Sequence, residues 1–301
     1  MAPNDRRKTV LITGCSPGGI GHALARAFHA RGLRVFATAR TTQQINDLSL
    51  VQGIETLPLV VDDDESILSC YAQVEQLTEA RGLDYLVNNA GVSYIMPALD
   101  ITLDEARKVF DVNVCAVMRL CQVFAPLLIT ARGTIVMMGS LAGVIPYVFG
   151  SVYNASKAAL HAYANTLRVE MAPLGVKVVT VLTGGVKSNI NAHVKRVLPR
   201  DSVYGALEDS FARRQVHSQQ SAMPNEAFAE SVVRQVLPGT GIGVWPWRWL
   251  PSRDARRRWI WEGSKSWVVY FLAGGYTWTG IFDWWMTRAF QLSRLKKGKT
   301  V

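Results

Sequence analysis

The spacing of apolar and polar positions changes period repeatedly along the chain. Short continuous apolar runs occur at 9–13 (TVLIT), 34–39 (RVFATA), 54–61 (IETLPLVV), 83–87 (LDYLV), 133–139 (GTIVMMG) and 176–182 (VKVVTVL). Between them lie segments near 19–30, 65–81, 103–130 and 152–171 whose apolar residues recur at helical spacing. Runs apolar at every position are strands covered on both faces, and helices between them carry the chain across so that consecutive strands lie parallel. The pattern predicts a doubly wound α/β domain, a parallel sheet with helices on both faces. Residues 184–225 are more polar and irregular, and they follow the C-terminal end of a strand, where such sheets bind ligands. They form a candidate substrate lid.

Composition changes this picture at one end. Of the net charge of +10, most resides in residues 253–301, which carry ten Lys/Arg against three Asp/Glu, and all nine tryptophans lie between Trp245 and Trp285. The chain is therefore read as a catalytic or binding body, 1–252, and an aromatic, basic C-terminal helical appendage, 253–301. The four cysteines show no paired spacing and no histidine at metal distance, so they read as reduced thiols with no metal site. No apolar stretch precedes Thr9, so no secretory signal is expected and the body is expected to face the cytosol.

Four glycines fall within 14–21, between the first strand and the first helix. Bare backbone and a helix N-terminus converge there on one point, a cradle for phosphate. The second strand ends in FATAR, placing Arg40 with no acid beside it where an adenosine ribose would lie, which favours the 2′-phosphorylated cofactor NADP(H) over NAD(H). In YNASK, Tyr153 and Lys157 are four residues apart and share a helix face. A phenol is too weak an acid to protonate a carbonyl oxygen unaided, and a neighbouring ammonium lowers its pKa. Ser140 ends the strand before this helix, NNAG at 88–91 follows another strand, and Asn113 lies inside the next helix.

Thr13-Gly14 with Gly19-Ile20-Gly21, NNAG, Asn113, Ser140 and Tyr153/Lys157 together resemble the short-chain dehydrogenase/reductase family over about residues 9–245, with one extra residue in the glycine loop. The resemblance implies a Rossmann-type fold and a catalytic set of Ser140, Tyr153, Lys157 and Asn113. Tyr153 would be the acid, Lys157 would lower its pKa, Ser140 would bond the carbonyl and Asn113 would anchor a relay water. It implies cofactor contacts from Gly14, Ser16, Gly19, Ile20, Gly21, Asp62, Asn89, Ala90, Gly91, Tyr153, Lys157, Val186 and Ser188, besides Arg40, with Lys157 holding the nicotinamide ribose. Hydride passes directly from the nicotinamide to carbon, so no metal is implied. Thr183 stands where the family usually has proline.

Within that family, residues 88–100, 133–164, 183–190 and the apolar tail are similar to the fungal NADPH-dependent 1-acyldihydroxyacetone-phosphate reductases. That likeness implies a phosphate met by Lys187, His193, Lys195, Arg196 or Arg200, and an acyl chain against Ile145, Tyr147 and Phe149. The same scaffold also serves polyketide, terpenoid and steroid ketones. A non-catalytic NADP-binding scaffold is the reading from another class, against which the intact Ser140, Tyr153 and Lys157 set argues.

In the tail, residues 266–282 run without charge but fall short of the ~20 apolar residues that span a bilayer. Two arrangements fit. One is an interfacial anchor at the cytosolic face of the endoplasmic reticulum or a lipid droplet. The other is packing on the protein's own body or on a second subunit in a homodimer. Base stacking by the aromatics would be a third use, but no nucleic acid partner is expected.

Overall fold

Six strands form where the apolar runs predict them, and a seventh forms in the tail. The computed structural model describes residues 6–79, 81–190, 195–237, 259–273 and 281–291. The strands are β1 (Thr9–Ile12), β2 (Arg34–Ala39), β3 (Ile54–Pro58), β4 (Tyr85–Asn88), β5 (Thr134–Ser140), β6 (Lys177–Thr183) and β7 (Trp259–Glu262). They pair in parallel in the order β3-β2-β1-β4-β5-β6-β7. The order reverses between β1 and β4, which opens a crevice at the C-terminal edge there.

Helices α1 (Ile20–Ala30), α2 (Asn46–Ser49) and α8 (Asn225–Val236) cover one face. Helices α3 (Asp64–Thr78), α5 (Ala116–Ala131) and α6 (Ser151–Met171) cover the other. Phe28 and Phe228 fill the first layer, and Ile67, Phe124 and Leu160 fill the second. The doubly wound sheet is thus the one the periodicity implies.

Three local differences have physical causes. The third strand stops at Pro58, short of Val61, because the Val60 N–H turns away to the Ser66 hydroxyl at 2.9 Å. The long helix at 103–130 is α4 (Leu103–Phe110) and α5 joined through a π turn, Asp111–Cys115, which holds Asn113. The division expected at 252/253 does not separate the sheet, since β7 pairs with β6 from Val181 opposite Ile260 to Thr183 opposite Glu262. Two tail helices, α9 (Ser266–Ala273) and α10 (Ile281–Ala289), follow α7 (Glu208–Gln220) of the expected lid.

Candidate active site

The glycine loop is shaped by close backbone approach. Gly14 has φ +73°, and a Cβ on it would lie 3.0 Å from Ala90 Cα. A Cβ on Gly21 would lie 2.3 Å from the Gly14 carbonyl oxygen and 2.5 Å from Asn89 Nδ2. Asn89 donates to the carbonyls of Thr13 (2.8 Å) and Gly14 (3.1 Å), which locks the floor after β4 to the loop after β1. Helix α1 starts at Gly19 with no side-chain cap, so its first N–H groups point into the loop unclaimed by a side chain. The extra residue is accommodated outward, because the carbonyls of Pro17 and Gly18 accept from Asn189 (2.8 Å) and Asn225 (3.1 Å). Ser16 is exposed at the rim.

Arg40 is exposed immediately after β2. Of the three acids after β3, Asp63 caps α3 through the Glu65 N–H (3.1 Å) and Asp64 pairs with Arg119, leaving Asp62 exposed at the sheet edge. Gly14, Arg40, Asp62, Asn89, Ala90 and Gly91 therefore all follow strand ends on one side of the sheet. Val186 and Ser188 line the same cavity beyond β6, with the Ser188 N–H donating to Gln219 at 3.0 Å.

Ser140, Tyr153 and Lys157 meet in a cavity of about 410 Å³ beside Ile20, Asn89 and Gly91. Ser140 Oγ accepts from the Ala142 N–H (3.2 Å), which leaves its own proton to donate. Its backbone N–H donates to His161 Nε2 (3.2 Å). His161 is buried, and burial and then the Lys157 charge push its pKa down to about 4, so it is a neutral acceptor that fixes Ser140. Nothing in the sequence pattern marks His161, because its place against Gly139 and Gly143 is tertiary.

Asn113 holds the loop after β4 to α6. Its Oδ1 accepts from the Val92 N–H (2.9 Å), and its Nδ2 donates to the Val92 carbonyl (2.9 Å) and Ser156 Oγ (3.0 Å). The Asn113 side chain thus ties the loop after β4 to α6 through three hydrogen bonds.

Burial raises the Tyr153 pKa, and the Ser140 hydroxyl and then the Arg214 guanidinium oppose that rise. Lys157 donates to the Met138 carbonyl at 2.9 Å and lies 5.8 Å from the Tyr153 ring centre. Burial pushes its own pKa down to about 8.

The sign of that shift yields a prediction. A lysine whose folded pKa lies below its unfolded one costs stability while charged, and the cost fades as pH rises from about 8 to 10.5. Lys157→Met should therefore stabilise the cofactor-free protein at pH 7 by ~2 kcal/mol, after allowing for the lost Met138 hydrogen bond. Calorimetry should show the higher Tm at pH 7 and its disappearance near pH 10.

The substrate end of the cavity was only partly legible. Ile145 and Tyr147 line it as expected, but Phe149 packs behind them against Phe211 and Phe290. Lys187, Lys195 and Arg200 are exposed away from the lining. Arg196 pairs with Glu105 (2.9 Å) and stacks on Tyr94 (4.4 Å). His193 lies outside the described residues. Arg214, His217, Lys265, Val269, Trp285 and Phe290 line it instead.

A match to the short chain dehydrogenase family profile covers residues 8–198, more than half of the chain. The chain belongs to the short-chain dehydrogenase/reductase family. It is 39% identical over 291 residues to the short-chain dehydrogenase virD of Hypocrea virens, covering 96% of this chain and 95% of that protein. It is 39% identical over 267 residues to an NADPH-dependent 1-acyldihydroxyacetone phosphate reductase of Schizosaccharomyces pombe, covering 87% of this chain and 88% of the relative. A solved short-chain dehydrogenase from Streptomyces avermitilis superposes with a TM-score of 0.72 at 26% identity, covering 98% of this chain and 100% of that one.

As a short-chain dehydrogenase/reductase, the protein is an oxidoreductase that uses a nicotinamide dinucleotide on small molecules. The cradle fits such a cofactor: the crowded Gly14 and Gly21 leave backbone bare, and the buried Thr183 hydroxyl on the cavity wall has no partner among the described residues. Gly14, Gly19 and Gly21 would hold the pyrophosphate, and Asn89, Ala90, Gly91, Lys157 and Thr183 the nicotinamide half. The bound cofactor supplies or accepts hydride. Ser140 would orient the substrate oxygen, and Tyr153 would donate or remove its proton.

Proposed function

We propose that the protein is an NADPH-dependent ketoreductase acting on an apolar ketone. The observation that carries this reading is the largely apolar cavity in which Ser140, Tyr153 and Lys157 face the glycine-loop floor. Arg40, exposed after β2 with no acid beside it in sequence, supports the phosphorylated cofactor, as does the NADPH dependence in the name of the S. pombe relative. One substrate is 1-acyldihydroxyacetone phosphate, with its acyl chain along Ile145, Val269 and Trp285. The second reading is a ketone of a fungal secondary-metabolite pathway, polyketide or terpenoid. It is favoured by the aromatic wall of Tyr147, Trp285 and Phe290, which suits flat rings.

The test is turnover by purified protein of acyldihydroxyacetone phosphate, a polyketide ketone and a steroid ketone with NADPH or NADH. The expected kcat/KM is at least about tenfold higher with NADPH, and Arg40→Asp should abolish that preference. Turnover of the polyketide ketone alone selects the second reading. Oxidation of neither cofactor by any of the three rejects both.

The same reading includes contact with the cytosolic face of an intracellular membrane, endoplasmic reticulum or lipid droplet. Supporting it, Trp267, Tyr270 and Phe271 on α9 and Trp284 on α10 are exposed, and the sequence from 253 to 301 is rich in Lys and Arg. The inner sides of these helices pack on the body, with Val269 and Trp285 against Leu141 and Leu182. Deleting 253–301 would remove β7 and a cavity wall, so the informative variant is superficial. Replacing Trp267, Tyr270 and Phe271 together by serine should weaken partitioning into vesicles containing phosphatidylserine by more than about tenfold, read by flotation.

A further inference from the structure

The substrate end of the cavity gathers positive groups that hydride transfer does not require. Arg214 is only 3% exposed, yet it lines the cavity. Its Nε donates to the Val148 carbonyl (2.9 Å), and its plane lies 3.5 Å from the centre of the Tyr147 ring, which fixes its direction. His217 follows on the same face of α7, with Nδ1 2.6 Å from the Tyr147 hydroxyl. Lys265, held at φ +65° just beyond β7, lines the same wall 5.8 Å from the Trp285 ring centre.

No Asp or Glu is among the described residues lining this cavity. The acidic groups acting on Arg214 are the phenols of Tyr147 and Tyr153, and burial raises the pKa of both, so neither neutralises it. His217 is kept neutral by burial and by the Lys265 and Arg214 charges. With Tyr147 protonated and donating to Nδ1, the proton of His217 is assigned to Nε2, where it is free for a ligand. A guanidinium taken out of water without a carboxylate is costly, and a rigid, stacked fork is suited to binding a two-oxygen anion.

We propose that Arg214, His217 and Lys265 form a subsite for a carboxylate or phosphate carried by the substrate, so that the enzyme reduces an anionic ketone. The proposal rests on the ketoreductase reading and deepens it. The apolar wall would take the carbon skeleton, and the anion would anchor its far end while Ser140 and Tyr153 hold the ketone. The sequence does not announce this, because residues 184–225 read as a polar, irregular stretch with no period that would put Arg214 and His217 on one face.

The test is calorimetric titration of the full-length, NADP⁺-loaded protein with 2-naphthoate, 2-naphthyl phosphate and the neutral methyl 2-naphthoate. At least one anion is expected to bind about tenfold or more tightly than the ester, equivalent to ~1.4 kcal/mol, with the preference reduced at high salt. The ratio of naphthoate to naphthyl phosphate affinity distinguishes a carboxylate from a phosphate source. Arg214→Gln should bring the preference near unity, and Lys265→Gln, at an exposed position that the fold tolerates, should reduce it severalfold. Equal binding of ester and anions, no anion binding at millimolar concentration, or a preference unchanged in both variants overturns the subsite. Nicotinamide fluorescence on NADPH addition separates the two readings. Cofactor binding without anion preference rejects the subsite alone, whereas failure to bind cofactor rejects the ketoreductase reading beneath it.

Discussion

Tyr153→Phe is expected to lower kcat/KM for ketone reduction by about 10³-fold while the NADPH Kd moves by less than about twofold. The ring remains, so the packing of α6 and the cavity shape are kept, and only the oxygen that carries the proton is lost. Burial holds that phenol protonated at neutral pH, and Ser140 and Arg214 draw its pKa part-way back, which favours the phenolate that forms as the proton leaves. The loss should fall in kcat more than in KM, because the proton moves only in the transition state. Steady-state kinetics with a parallel NADPH titration checks this. A variant with wild-type kcat would remove the phenol from the chemistry.

Gly21→Val has the second largest expected effect, on the cofactor and not on the acid. Even a Cβ there would lie 2.3 Å from the Gly14 carbonyl oxygen, and that atom belongs to backbone that cannot rotate away. The loop must open, which separates α1 from the Gly14 turn and breaks the Asn89 bonds to Thr13 and Gly14. Overpacking of this kind costs about 1–3 kcal/mol, so NADPH affinity should fall by about 10- to 100-fold where the strain is relieved at the cradle. Gly205→Ala is the control, since a Cβ there meets nothing within 4 Å. Fluorescence titration with NADPH should separate the two, and equal affinity in both variants would mean that the loop does not hold the pyrophosphate.

Much of this architecture was legible because strands covered on both faces are apolar along their central positions. Val35–Ala37 of RVFATA and Ile135–Met138 of TIVMMGS show that without reference to any neighbour. WIWE was not legible, since a four-residue edge strand amid tryptophans and charges carries no distinctive period. Tyr153 and Lys157 could be paired because helical spacing puts them on one face, and Ser140 joined them through the resemblance to the family's order of motifs. Their electrostatics could not be read, because the lowered Lys157 pKa arises from burial and the influence of Arg214 on Tyr153 from a charge brought near by the tertiary fold. Arg196 and Arg214 make the same point in opposite directions. The first sits in a segment read as phosphate-binding and is used on Glu105, while the second sits in a polar helix and lines the cavity.

The most direct test of the central claim is a crystal structure of the protein with NADP⁺. The account predicts the pyrophosphate on the loop from Gly14 to Gly21 and the nicotinamide C4 open to the cavity opposite the Tyr153 hydroxyl, with Ser140 beside it. A nicotinamide seated elsewhere, or a Tyr153 hydroxyl turned away from C4, would contradict it.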